Sequence, residues 1–100
     1  MIIKEILKTL ETTKGETPVI KLIHKNDNSK LMALGFNKGM VLGNHQTDIP
    51  ATLIVLQGVV NYQEEGRNII VNALEELSIP VNVTHSVTAL EDSLCIVIRA

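Results

Sequence analysis

The feature that most constrains the fold is a series of short strand-like runs with no helix between them. From residue 17 onwards, runs rich in apolar and β-branched residues alternate with Asn, Asp, Gly and Pro. The predicted strands are 19–25, 31–36, 40–47, 53–56, 59–62, 68–71, 81–90 and 94–99. The Glu64-Glu65-Gly66-Arg67 segment is typical of a hairpin loop, with both Glu64 and Glu65 in solvent. This spacing predicts an all-β sandwich or barrel.

The first eleven residues follow a different pattern. Apolar residues recur at helical spacing, with charged residues between them, at Ile2, Ile3, Ile6, Leu7 and Leu10. We therefore expect a short amphipathic helix over residues 1–11, followed by a barrel over residues 17–100, in one domain. The helix either packs on its own barrel, which we favour, or docks a partner.

Composition and charge exclude several classes of function. The 100 residues carry a net charge of −2, with nine scattered basic residues and only two aromatic ones. No basic stripe is present, which argues against nucleic-acid binding. The apolar runs are too short to span a bilayer, and the N-terminus lacks a signal-peptide pattern, so we expect a cytoplasmic protein. The single cysteine, Cys95, excludes an intramolecular disulfide and is expected to be a buried structural thiol.

The histidines are the candidate functional residues. His85 shares one strand face with Val83, Val87 and Ala89, so alternation predicts that it points inward. His45 lies in a run whose two faces both contain apolar residues, and alternation does not place it. His24 ends the first run, on the face of Ile20 and Leu22, and is a further candidate for the interior.

Two segments around these histidines resemble the two motifs of the cupin superfamily. The first motif is a glycine, His-x-His, a glutamate and a closing glycine; Gly39, His45 and Gly58 match, whereas Thr47 replaces the second histidine and Ala51 the glutamate. In the second motif, Pro80 and His85 match, and its two glycines are replaced by Leu74 and Asn82. Asn accepts a left-handed backbone, so we expect the turn before His85 to survive. The resemblance implies a small RmlC-like cupin, a double-stranded β-helix (jelly-roll) barrel.

The resemblance also implies which residues form the site. Metal-binding cupins use three histidines and a glutamate, and only His45 and His85 carry that role over. Candidates for a missing ligand are Asp48, Gln57 and His24. No cofactor is certain, and the divalent transition metals that such a site would hold are zinc, nickel, iron or manganese. The expected pocket-lining residues are Thr47, Ala51, Gln57, Val83 and Val87.

Three hypotheses for function follow. The first is a cupin barrel that binds a small molecule in its interior, with a degenerate or weak metal site. The alternative is a metal-dependent cupin enzyme, such as an oxygenase or isomerase. The third is a structural or protein-interaction barrel that uses its N-terminal helix. A homodimer is expected in each case, because small barrels leave sheet edges and apolar faces to be covered.

Overall fold

The computed structural model describes all 100 residues and contains one helix and nine strands. The helix is α1 (Ile2–Leu10). The strands are β1 (Val19–Lys25), β2 (Lys30–Phe36), β3 (Val41–His45), β4 (Ala51–Gln57), β5 (Val59–Glu64), β6 (Arg67–Asn72), β7 (Glu76–Ile79), β8 (His85–Ala89) and β9 (Ser93–Arg99).

The strands form two antiparallel sheets that pack face to face as a jelly roll. The five-stranded sheet has the order β1-β2-β9-β4-β7, and the four-stranded sheet has the order β3-β8-β5-β6. The core lies between them, with Leu53, Val55 and Cys95 from the first sheet and Val60 and Tyr62 from the second. This confirms the predicted all-β, jelly-roll class with a short N-terminal helix. Burial also raises the pKa of the Cys95 thiol to about 12, so it is un-ionised near neutral pH.

The helix packs on the outer face of the five-stranded sheet, where it contacts β1 and β2. It buries Ile6 and Leu10 against Gly35, at which an added Cβ would overlap both side chains. The absence of a side chain at Gly35 therefore lets the helix approach the strand closely. Ile6 and Leu10 of α1 are thus covered by the chain's own barrel, which is the packing that we favoured from the sequence, whereas Leu7 stays 40% exposed.

The predicted strand over residues 81–90 is wrong in its first half. Residues 81–84 form a turn, and the strand begins at His85. A strand that the pattern did not predict, β7, precedes this turn and ends at Ile79, because Pro80 cannot donate a further ladder hydrogen bond. Asn82 has the left-handed backbone expected of it, with φ 58°, and Leu74 has φ 68°.

Candidate functional site

A cavity of about 190 Å³ opens between the two sheets. Most of its lining is apolar. Its polar side chains come from the end of the barrel where β3 and β9 end and β4 and β8 begin, and they are His45, Gln46, Thr47, His85 and Arg99. The cavity thus has a polar mouth and an apolar interior.

His85 is the first residue of β8 and is only 1% exposed, as its strand face predicted. Its Nδ1 lies 2.9 Å from the carbonyl oxygen of Val83. A carbonyl oxygen only accepts hydrogen bonds, so Nδ1 carries the proton and Nε2 keeps its lone pair. Burial lowers the pKa of His85, with a smaller contribution from His45; the Val83 carbonyl and Glu64 act in the opposite direction. The ring is therefore a neutral acceptor near pH 7.

His45 reaches the same cavity because of a β-bulge in β3. Leu42 pairs with Val87 and His45 pairs with His85, so three steps along β3 oppose two along β8. The extra residue turns His45 to the inner face, which strict alternation could not show. Its Nδ1 lies 2.8 Å from the carbonyl oxygen of Gly43, so this ring also carries its proton on Nδ1.

The two imidazoles are in contact. Their ring centroids are 4.1 Å apart with an interplanar angle of 63°, and no intramolecular hydrogen bond reaches either Nε2. His45 is exposed at the mouth, whereas His85 lies deeper. The site therefore presents two Nε2 atoms without an intramolecular partner next to each other at the entrance of an apolar cavity.

Tyr62, Glu64 and Arg67, from β5 and β6, form a hydrogen-bonded cluster that packs against His85. The ring of Tyr62 stacks on His85 at 5.4 Å between centroids, and its hydroxyl donates to Glu64 over 2.5 Å. Arg67 donates to the same carboxylate from Nε and Nη2, at 2.9 and 2.7 Å. These bonds from Arg67, followed by the one from Tyr62, lower the pKa of Glu64.

The expectation that Glu64 lies in solvent is therefore wrong. Its side chain is 11% exposed, because it shares the inward face of β5 with Tyr62 and lies opposite His85 on β8. Alternation along β5 could have placed Glu64 inward, but the hairpin pattern dominated the prediction.

Among the expected pocket-lining residues, Thr47, Ala51 and Val87 line the cavity, and Gln57 and Val83 do not. Gln57 is the last residue of β4, and Ala51, at the cavity, is the first. Six steps of extended chain separate them by about 20 Å, so Gln57 lies in a separate depression beside α1. Val83 lies in the turn before β8 and contributes its carbonyl rather than its side chain.

The candidates for a further metal ligand also lie outside the cavity. His24 is exposed, because a bulge in β1 between Leu22 and His24 shifts its register against β2. Asp48 is 82% exposed and lies 3.5 Å from Arg99 Nη2. Gln57, as described, is at the far end of β4.

Arg99 was missed by the sequence analysis. It ends β9 on the same face as Cys95 and Val97, and it lines the cavity. A charged residue at a strand end is typical of a solvated position, so its inward direction was not evident. Alternation from the buried Cys95 could have revealed it.

The donor set does not fit a resident divalent metal. The Thr47 hydroxyl donates to the Ile49 carbonyl over 2.7 Å and accepts from the Ile49 amide at 3.3 Å, while Ala51 has no donor atom. No group of three or more His, Cys, Asp or Glu side chains is arranged so that it could hold a metal ion. Arg99 adds a positive charge to the cavity, and no carboxylate is among the residues that line it. First-row metals prefer three or four protein ligands, so two imidazoles beside a cation form a poor site.

Comparisons with known proteins agree with this fold. No protein-family model matches the chain, and no curated protein sequence does. Among solved structures, an RmlC-like cupin from Desulfovibrio desulfuricans has TM-score 0.77 and 23% identity over 89% of this chain and 90% of that one. A cupin superfamily protein from Desulfitobacterium hafniense has TM-score 0.80 and 14% identity over 94% and 86%. A cupin-like protein from Thermotoga maritima has TM-score 0.75 and 25% identity over 81% and 66%.

The chain folds as a small cupin. These likenesses support no specific activity.

The closing glycine of the first cupin motif has a clear physical role here. Gly58 has φ 86°, and a Cβ at that position would overlap Ser93 and the Asp92 carbonyl. The one helix of the chain is too short to span a membrane.

Proposed function

We propose that this cupin binds a small molecule with an apolar body and a polar end inside the barrel, with His45 and His85 as anchors. The observation that carries the proposal is the pair of imidazoles at the cavity mouth. Each ring is fixed by a hydrogen bond from Nδ1 to the carbonyl oxygen two residues earlier, and each Nε2 has no partner within the chain. When an imidazole held in this way is neutral, its Nε2 accepts a hydrogen bond from a ligand or removes a proton from it.

The cavity limits the size of this ligand. Pockets for drug-sized molecules span about 300–1,000 Å³, and this one measures about 190 Å³. The ligand is therefore smaller than a typical drug. Its apolar part contacts Leu53, Val87 and Val97, and its polar end stays at the mouth.

A metal-dependent oxygenase or isomerase is the less supported function. Such an enzyme needs a third protein ligand for its metal. Thr47 and Ala51 occupy the two positions where the cupin motif has a histidine and a glutamate as ligands. Metal-free binding requires only the two imidazoles and the apolar lining.

The test is a titration of ¹⁵N-labelled protein with six-carbon compounds that differ in their polar end: an acid, an amide, an alcohol and an amine. We expect at least one compound to shift the amide signals of Leu53, Val87 and Val97 in a saturable manner. The double variant His45→Ala/His85→Ala should weaken this binding at least tenfold.

His24→Ala is the matched control, because His24 is exposed on β1 outside the cavity. It should bind as the wild type does. The proposal fails if no compound shifts cavity amides at millimolar concentration, or if the double variant binds as tightly as His24→Ala.

We also propose a homodimer formed through the outer face of β2, β9 and β4. Leu31, Ile54, Ile96 and Ile98 lie together on this face, and none carries a charge. The helix packs on β1 and β2 and leaves the outer face of β9 and β4 without a covering element. An uncharged apolar face is complementary to a second copy of itself.

The mass of the particle in solution tests the dimer. Light scattering should give the mass of two chains for the wild type and of one chain for Ile96→Glu. Ile70→Glu, on the outer face of the other sheet, is the control and should remain dimeric. A monomeric wild type at high micromolar concentration would refute this assembly.

A further inference from the structure

The guanidinium of Arg99, at the cavity mouth, has an edge whose hydrogen-bond donors, Nε and Nη2, find little or no acceptor within the chain. Arg99 is 28% exposed, and its Nε is enclosed without any hydrogen-bond partner. Its Nη2 has only a loose contact, 3.5 Å from Asp48, whose carboxylate is 82% exposed. Enclosed donors in proteins are almost always paired, so this edge is suited to a group from outside the chain.

The other arginine near the site shows what fills such an edge. Arg67 donates from Nε and Nη2 to both oxygens of Glu64, at 2.9 and 2.7 Å. This two-bond arrangement is the usual geometry between arginine and a carboxylate. The same two atoms of Arg99 lack a partner at that distance, and the cavity has no carboxylate of its own.

The imidazoles complement a different group. Each Nδ1 is bonded to a backbone carbonyl, so the neutral form of either ring presents Nε2 as an acceptor, which favours a donor such as a hydroxyl and disfavours the lone pairs of a carboxylate. The mouth therefore offers one site for an anion, at Arg99, and one for a hydrogen-bond donor, at His45 and His85. Apart from Gln46 and Thr47, the remaining lining is apolar, and it includes no second lysine or arginine.

We infer that the ligand is a small hydroxycarboxylic acid with an apolar body. Its carboxylate binds the Nε and Nη2 edge of Arg99, displacing the loose contact with Asp48. Its hydroxyl donates its one proton to the Nε2 atom of one of the two imidazoles, and its carbon chain lies in the cavity. This inference rests on the proposed function and names the ligand class for the same site.

The experiment compares the dissociation constants of 2-hydroxyhexanoate, 6-hydroxyhexanoate, hexanoate and hexanamide from shifts of the cavity amides. At least one hydroxy acid should bind more tightly than hexanoate, and at least tenfold more tightly than hexanamide. Arg99→Met keeps an unbranched apolar stem and removes the guanidinium with its charge, and it should abolish the advantage over the amide. The fold of each variant is checked in the same spectra.

Lys30→Met is the matched control. Lys30 pairs directly with Arg99 on the adjacent strand but does not line the cavity. The substitution therefore removes one positive charge close to Arg99 but outside the site. It should leave the preference for the acid intact. Equal losses in Lys30→Met and Arg99→Met would indicate a general charge effect and overturn the inference.

Asp48→Asn supplies a second variant that acts in the opposite direction. It removes the carboxylate that competes for Arg99, so the hydroxy acid should bind a few-fold more tightly. Unchanged or weaker binding would contradict the displacement.

The remaining outcomes separate this inference from the proposed function. If hexanamide and the hydroxy acids bind alike, and the double histidine variant weakens both, the cavity binds small molecules but the assigned ligand class is wrong. If none of the compounds shifts cavity amides, both proposals fall.

Discussion

At the scale of single residues, His85 lies where its charged form is disfavoured. It is buried, contacts His45, and donates from Nδ1 to a backbone carbonyl. Burial is the largest cause of its lowered pKa, and His45 adds to it. The sequence was sufficient to predict this inward direction, because β8 alternates regularly. It was insufficient for His45, whose direction depends on a bulge that no local residue type specifies.

His85 should make the stability of the protein pH-dependent. The unfolded chain titrates near the ordinary histidine pKa of about 6.5, and the folded state titrates lower. Below about pH 6.5 the unfolded state therefore binds a proton that the folded state does not, and the free energy of unfolding falls until the pH reaches the lower, folded pKa. Urea unfolding between pH 5 and 8, with chelator present, should show a steeper fall for the wild type than for His85→Gln. Parallel curves would refute this account.

Leu74 is in a backbone conformation that suits glycine. It has φ 68° and is 80% exposed, so its side chain buries little in return. Leu74→Gly should relieve about 1–2 kcal/mol of left-handed strain and lose about 0.5–1 kcal/mol to the greater freedom of the unfolded chain. We expect a gain in the free energy of unfolding of about 0.5–1 kcal/mol, measured in urea.

Asn82→Gly is the control for this prediction. Asn82 has a similar φ of 58°, but asparagine tolerates this region, so its replacement should give a smaller gain. A loss of stability in Leu74→Gly would show that its side chain makes a contact worth more than the strain.

At the scale of secondary structure, the position of α1 depends on Gly35. Gly35→Ala should destabilise the protein by about 1–3 kcal/mol, because the new methyl group overlaps Ile6 and Leu10. Gly43→Ala is the matched control, since nothing lies near that position and its change should be close to neutral. Equal unfolding midpoints for the two variants would show that the helix moves away at little cost.

Most strands could be predicted because short runs and turn residues alternate clearly along the chain. The turn between β5 and β6 followed from Glu65 and Gly66, and β1 from its full run of apolar and charged residues. The short strand β7 was missed because it has only four residues and begins with a charged one, Glu76. Alternation puts Arg99 on the same face of β9 as Cys95, but the sequence does not show that the end of β9 lies at the mouth of a cavity. Pairing between distant strands decides that, and it is set by the whole sheet.

At the scale of the whole molecule, the prediction concerns metal content. Protein purified without chelator and without a histidine-rich tag should contain well under one transition-metal ion per chain. The reason is that two imidazoles and a cation, in a cavity whose lining includes no carboxylate, form a weak site. Elemental analysis of the wild type, of His45→Ala/His85→Ala and of His24→Ala checks this. Near-stoichiometric metal that only the double variant loses would reveal a third ligand and revive the enzyme hypothesis.

The bonds from each Nδ1 to the carbonyl oxygen two residues earlier have a consequence for the thermodynamics of binding. They restrict both imidazole rotamers before any ligand arrives. Association usually loses conformational entropy at each side chain that it immobilises, by about 0.5–1.5 kcal/mol for a flexible one. His45 and His85 are already ordered, so most of that loss should fall on Arg99, the long and flexible side chain at the mouth. Differences in binding entropy between ligands should accordingly reflect whether they engage the guanidinium.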